Sequence, residues 1–275
     1  MQAVASIDNR RIRIGIEING ILRHYENLAI TATGQKFANA NQGECNITIS
    51  NLERSVSDFI LTETSPHNRN RTRVPITVEA GRVSTGLSVL YRGDIFRSDG
   101  GTRPDNLLSI RCLTGQFQKG NIIERTGLAM DSLRAIAQGV ADDNDLSLQF
   151  TAAEKTIANY SFSGASIKQV EKLREISGAD VFVDGNVLVV KPINAPIDGS
   201  VFLVNSRAGL QVPQFTEQGL KASFLYDPRV KLGSTVQIES EQFPATNGQY
   251  VIYRLQYSIA NRDAPFHYTM EGRRI

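Results

Sequence analysis

"QYVIYRLQYSIANRDAPFHYTMEGRRI", residues 249–275, decides how this chain is built. Val251, Tyr253, Leu255, Tyr257 and Ile259 fall on one face of an extended segment, and Ile252, Arg254, Gln256 and Ser258 on the other. A period of two is that of an antiparallel strand with one face on a core. After the polar turn "ANRDAP", Phe266, Tyr268 and Met270 repeat the alternation against His267, Thr269 and Glu271, so the tail reads as a hairpin. It is a building element, without evident chemistry.

Working outward, the whole of 199–275 alternates in this way, and so does the other end of the chain. In "RRIRIGIEI", residues 10–18, Ile12, Ile14, Ile16 and Ile18 share a side, and Asn19-Gly20 then supplies the pair that tolerates positive φ in a tight hairpin turn. The return strand "ILRHYENLAITATG" changes phase, which predicts a bulge near Glu26-Asn27. A strand "CNITIS" precedes a short helix carrying Leu52, Val56, Phe59 and Ile60, and strands follow at 74–80, 87–97 and 106–113.

From residue 116 the pattern turns to helices and short strands. Leu133, Ile136, Ala137 and Val140 share a helix face behind an expected Asp131 cap. Ser166 with Gln169 has capping-box spacing, and Gly178 is the expected stop of that second helix. "ADVFVDGNVLVVKP" reads as two strands about an Asp184-Gly185 turn, and "KPINAPIDGS" as a linker. The expected fold is mainly β with an α/β insert. Two antiparallel β-barrel domains, residues 1–115 and 199–275, would flank a small α/β domain at 116–198.

The two β regions resemble each other. "ITVE" (76–79) matches "VQIE" (236–239), "VLYRGDIF" (89–96) matches "VIYRLQYS" (251–258), and Leu108, Ile110 and Cys112 match Phe266, Tyr268 and Met270. The expectation is an internal duplication with Tyr91 over Tyr253 and Ile110 over Tyr268.

Composition narrows the function. A net charge of +2, from 30 Lys and Arg against 28 Asp and Glu, argues against a protein whose main task is gripping nucleic-acid phosphates. No apolar run approaches a membrane span, and "MQAVASIDNRRIRI" lacks the pattern of a secretory signal. Cys45 and Cys112 form neither a disulfide framework nor a zinc motif, and His24, His67 and His267 stand apart from other ligands. Asp143-x-Asp145-x-Ser147 has the start of a calcium loop, but Leu148 takes the glycine position and the closing glutamate is missing. Ser163, Gly164 and Ser166 make no nucleophile elbow, and no glycine-rich phosphate loop occurs. The expectation is no catalytic residue, no metal and no cofactor. The one concentration of charge is "HNRNRTRV", where Arg69, Arg71 and Arg73 recur at every second position and are candidates for docking a partner.

The segment "GLQVPQFTEQGLKASFLYDPRVKLGSTVQIES" resembles the baseplate hub proteins of contractile-tailed bacteriophages. Pro213, Thr216, Glu217, Gly219, Asp227, Pro228 and Gly233 occupy the family's turn positions. The closing hairpin is similar too, although many members carry a His-x-Gly-Asp-like stretch where this chain has "SIANRD". The likeness covers about the last 75 residues by motif and the rest by domain order.

The resemblance implies two tail-tube-like β-barrel domains in a homotrimer that joins a hexameric tail tube to a trimeric central spike and lines the channel through which DNA passes. Implied partners are the tail tube, central spike, tape-measure and baseplate wedge proteins, with no membrane binding of its own. The implied location is the virion baseplate after assembly in host cytoplasm. Two other readings are a glycan- or peptidoglycan-processing tail-tip enzyme, which needs paired carboxylates or a metal, and the hub portion of a contractile secretion-system spike.

Overall fold

The computed structural model describes residues 8–39, 41–101 and 105–275. The amino-terminal stretch read above falls partly outside them. In the first region the strands are β1 (Arg10–Ile18), β2 (Ile21–Tyr25), β3 (Ile30–Phe37), β4 (Glu44–Ser50), β5 (Pro75–Arg82), β6 (Gly86–Gly100) and β7 (Leu107–Leu113), with helix α1 (Arg54–Thr64) between β4 and β5. β1 and β2 form the expected hairpin: Ile18 faces Ile21, and Asn19 and Gly20 both take positive φ, 51° and 77°. The isoleucines of β1 are buried as their alternation requires.

The phase change after Tyr25 is a break, where a bulge was expected. Among the described residues β2 pairs only with β1, whereas β3 pairs with β4 and with a strand near the end of the chain. Asn261, from the turn of the closing hairpin, holds this break: its Nδ2 donates to the Leu28 carbonyl (2.7 Å) and its Oδ1 accepts from the Ile30 amide (2.9 Å).

The middle region contains β8 (Ile122–Thr126), β9 (Met130–Ser132), α2 (Leu133–Asp143), β10 (Ser147–Phe150), β11 (Thr156–Ala158), β12 (Ser161–Ala165), α3 (Lys168–Ser177), β13 (Asp180–Asp184) and β14 (Val187–Lys191). Its three-stranded sheet, in the order β10-β14-β13, is buried on both faces. Val181, Leu188 and Val190 join a small core with α2 and α3, while Phe182 and Val189 join the main core. The segment after β14 is pinned to this region: Lys191, 1 % exposed, donates to Asp180 Oδ2 (2.9 Å) and to the Ala195 carbonyl (2.8 Å).

Three local expectations change here. Ser132 caps α2, its side chain accepting from the Ala135 amide (3.1 Å), because Asp131 lies one residue too early. Ser166 and Gln169 form no capping box; Ile167 is the N-cap. Both side chains point inward, Ser166 Oγ donating to the Gln118 carbonyl (3.2 Å) and Gln169 Nε2 to Asp143 Oδ2 (3.0 Å). The β13–β14 loop is Gly185-Asn186, since Asp184 already faces Val187. Gly178 ends α3 at φ 61° as expected.

The last region contributes β15 (Val201–Val204), β16 (Gln214–Thr216), β17 (Gly219–Leu225), β18 (Thr235–Ile238), β19 (Gly248–Ala260) and β20 (Phe266–Arg274). Strands of the first and last regions form one sheet, in the order β16-β17-β20-β19-β3-β4-β7-β6-β5-β1-β2, with β18 beside β19 and β15 beside β18. The path does not close into a barrel among the described residues.

This sheet carries a repeat more specific than the sequence suggests. β16-β17-β20-β19 and β3-β4-β7-β6 have the same order, in which the second strand skips the hairpin between to lie beside the last. A bulge falls at the same point of each: between Ile252 and Arg254 in β19, and between Ile95 and Arg97 in β6. Just before it, the Ile252 amide bonds the Ser234 carbonyl (3.1 Å), and the Ile95 amide bonds the Val74 carbonyl (3.0 Å). Tyr253 therefore corresponds to Phe96, and the expected match of Tyr91 with Tyr253 is out of register. Through the ladders Ile110, opposite Ser98, corresponds to Met270, opposite Leu255, so the match of Ile110 with Tyr268 is two residues off. The match of β5 with β18 stands. The bulge also turns Tyr253 out of the inward row that Leu255, Tyr257 and Ile259 keep, and Tyr250 and Ile252 take over the core side upstream.

The two halves meet where β19 pairs with β3 over seven residues, Arg254 opposite Phe37 through Ala260 opposite Thr31. Tyr257 lies across Gly34, its strand partner: a Cβ on Gly34 would fall 2.2 Å from the Glu44 carbonyl oxygen and 2.3 Å from Tyr257 Oη. Gly34→Ala is expected to lower stability by about 1–3 kcal/mol by overpacking, read as a lower urea midpoint at unchanged slope. An unchanged midpoint would remove Tyr257 from this place.

Candidate functional site

The arginine segment follows α1, and the structure splits its three members. Arg71 turns back on the helix end, its Nε and Nη2 donating to the Ser65 carbonyl (3.2 and 2.9 Å). The Asn68 amide donates to the same carbonyl (3.1 Å), so Arg71 adds to a bond already made at the helix end. Thr72 binds the Glu63 carboxylate through its amide (3.0 Å) and hydroxyl (2.7 Å), and the bond from the amide, with that from the hydroxyl, holds the Glu63 pKa below its ordinary value. Arg73 Nε donates to Asp94 Oδ1 at 2.8 Å, and the Asp94 side chain is only 5 % exposed. Arg69 is exposed. The segment is thus a folded loop, and its arginines do not form a single row. Arg71 and Arg73 line a groove of about 540 Å³ together with Asp94, Phe96 and Lys119.

The acidic stretch at the end of α2 is structural. Arg125 grips Asp143 with two hydrogen bonds (2.8 and 2.6 Å), which hold the Asp143 carboxyl below and the Arg125 guanidinium above their ordinary pKa values. Asn144 is buried, its Nδ2 donating to the carbonyls of Val140 (2.8 Å) and Ser166 (3.1 Å). His24 and His67 are exposed and His267 is half-buried on β20. Among the described residues no three His, Cys, Asp or Glu side chains group as a metal site, and no helix is long and apolar enough to cross a membrane.

Cys45 and Cys112 are directly opposite each other on β4 and β7, both buried and free. Burial pushes the Cys45 thiol up to about 12 and raises Cys112 and the adjacent Tyr257 well above their ordinary values. Thiols held protonated in a closed core are poor nucleophiles. Sequence spacing gave no signal that the two would face each other, because the hairpin β5–β6 intervenes.

What remains exposed on the sheet is its edges. Among the described residues β2, β15 and β16 each have one strand neighbour; Ile21 and Leu22 on β2 and Phe215 on β16 are 62, 54 and 62 % exposed, and Val201 and Leu203 on β15 are 50 and 53 % exposed. Uncovered edges with large apolar side chains favour pairing with another chain. The family described as baseplate hub gp41 matches residues 11–272. The chain belongs to that family. No curated protein matches the hub chain by sequence.

Its fold is shared with three tail-related proteins. The 43 kDa tail protein of prophage MuSo2 from Shewanella oneidensis aligns at TM-score 0.64 and 8 % identity, over 97 % of each chain. A tail protein from Neisseria meningitidis MC58 aligns at 0.62 and 8 %, over 95 % of the hub chain and 96 % of its own. The E. coli c3393 protein, a type VI secretion component described as similar to T4 tail proteins gp27 and gp5, aligns at 0.63 and 10 %, over 94 % and 76 %.

In the loop, Arg73→Ser removes a charged hydrogen bond from a buried carboxylate and is expected to cost about 1–3 kcal/mol. Arg69→Ser should stay within about 0.5 kcal/mol. Equal denaturation midpoints for the two variants would contradict the placement of Arg73.

Proposed function

We propose that this hub chain is the structural adaptor of a contractile phage tail, acting as a homotrimer. The carrying observation is the repeated four-strand unit with its bulge in the same place. Three chains with two such units each present six similar units, which can meet a sixfold tube on one side, while three chains meet a threefold spike on the other. Closed cyclic assembly also avoids open-ended growth. In this reading residues 1–115 and 199–275 are tube-like barrel domains whose walls are completed in the ring, residues 116–198 are the α/β domain between them, and DNA passes through the lumen. Tube, spike, tape-measure and wedge proteins are the partners, and the virion baseplate, assembled in host cytoplasm, is the location.

The arginine loop keeps a narrower docking role. Exposed Arg69 and the groove beside Arg71 and Arg73 offer donors to carboxylates of an adjoining tail protein. In this reading the chain acts without catalysis: its paired thiols are closed in the core, and Asp143 and Asp94 are occupied by Arg125 and Arg73.

Quantified tails should contain three copies of the chain per tip, and six copies or one would contradict the adaptor. Incubation with cell-wall glycan should give no turnover above background; activity lost on changing one carboxylate of this chain would establish the enzyme instead.

A further inference from the structure

One strand of the repeated unit has strands on both sides in one half of the molecule and on one side only in the other, where the end of α1 rests against it through Thr64 Oγ1 and Ser98 Oγ (2.6 Å). Beyond its bulge β19 is packed by β3, and Leu255, Tyr257 and Ile259 are buried. Beyond the same bulge, Phe96, Arg97, Asp99 and Gly100 of β6 are exposed, because β5 pairs with β6 only as far as Asp94 and β7 takes the opposite side. At the far end of the sheet β16, which corresponds to β3, pairs among the described residues only with β17, and Gln214 and Phe215 are exposed. Among the described residues the molecule thus has one joint of the type β19–β3 made internally, and the two halves of a second such joint without a strand partner at opposite ends.

We infer that the second joint forms between copies, with the outer part of β6 of one chain pairing antiparallel with β16 of the next. This rests on the ring reading above and names the strands that close it. The ladders fix the register. Gly34 and Phe215 face the corresponding residues Cys45 and Leu220, and Tyr257 lies two places beyond Leu255, as Gly100 lies two beyond Ser98. Tyr257 opposite Gly34 therefore becomes Gly100 opposite Phe215, and Gln256 opposite Gln35 becomes Asp99 opposite Thr216.

Side-chain chemistry agrees with that register. The internal joint places one aromatic ring over one glycine, and the joint between copies keeps the pair with the partners exchanged: among the described residues a Cβ on Gly100 would meet only Leu61, at 3.7 Å, and Phe215 is 62 % exposed. Two rings or two glycines would leave a clash or a gap. Arg254, the first residue beyond the bulge in β19, bridges the internal joint through Nη2 to Gln35 (2.9 Å) and also bonds Glu271 (3.0 Å). Its counterpart Arg97 bonds Asp99 on its own strand (3.2 Å), with its side chain exposed.

The test is an Asp99→Cys/Thr216→Cys double variant built into tails. Opposed residues in an antiparallel pair have Cα atoms about 4.5–5.5 Å apart, within disulfide reach. After mild oxidation, most of the chain should run as a three-chain species without reductant and as a monomer with it, while each single variant stays monomeric. Tips that hold three copies yet give no linked species would overturn this pairing and leave the ring. Tips without three copies would overturn both.

Discussion

The seven-residue ladder between β19 and β3 is the constraint on which the rest of the molecule depends. It joins strands from opposite ends of the chain and turns two four-strand units into one sheet. Neighbouring contacts reinforce it: Asn261 ties the closing turn to the start of β3, Tyr257 fills the space that Gly34 leaves, and Arg254 spans β3, β19 and β20. Its pairs are far apart in sequence, so the loop-closure entropy they carry must be offset by burial. The apolar residues of β19 beyond the bulge supply that burial.

The same constraint explains why the middle region is no free appendage. Its sheet places Phe182 and Val189 into the main core on one face and Val181, Leu188 and Val190 against its own helices on the other. Lys36 on β3 and Asp184 on β13 add a largely buried ion pair at 2.7 Å. Such a pair contributes more to orientation than to net stability, since both charges lose water. The two halves and the middle region thus share a frame in which, among the described residues, the outer part of β6 and the strands β16, β15 and β2 have a strand on one side only.

Local signals carried much of this. The isoleucines of β1 and the Asn19-Gly20 turn gave the first hairpin, the alternation after Leu255 gave the last, and Gly178 gave the end of α3, because each depends on neighbours a few residues away. The bulges at Tyr253 and Phe96 were not legible, since an extra residue in a ladder leaves no mark in residue type, and the similarity of "VLYRGDIF" to "VIYRLQYS" pointed to the wrong register. Ser166 and Gln169 had the spacing of a cap but serve contacts with Gln118 and Asp143. Arg71 and Arg73 alternate as if on a strand, yet a helix end and a buried aspartate claim them. In each case a tertiary partner outweighed a local pattern.

A reconstruction of the tail tip in which side chains can be traced tests the central claim most directly. The account predicts three copies of this chain around the channel, with β3-β4-β7-β6 carried onto β16-β17-β20-β19 of a neighbouring unit by about one-sixth of a turn, and with Phe96 falling on Tyr253. Units that do not superpose under that rotation, or bulges that fall at different places in the wall, would contradict it.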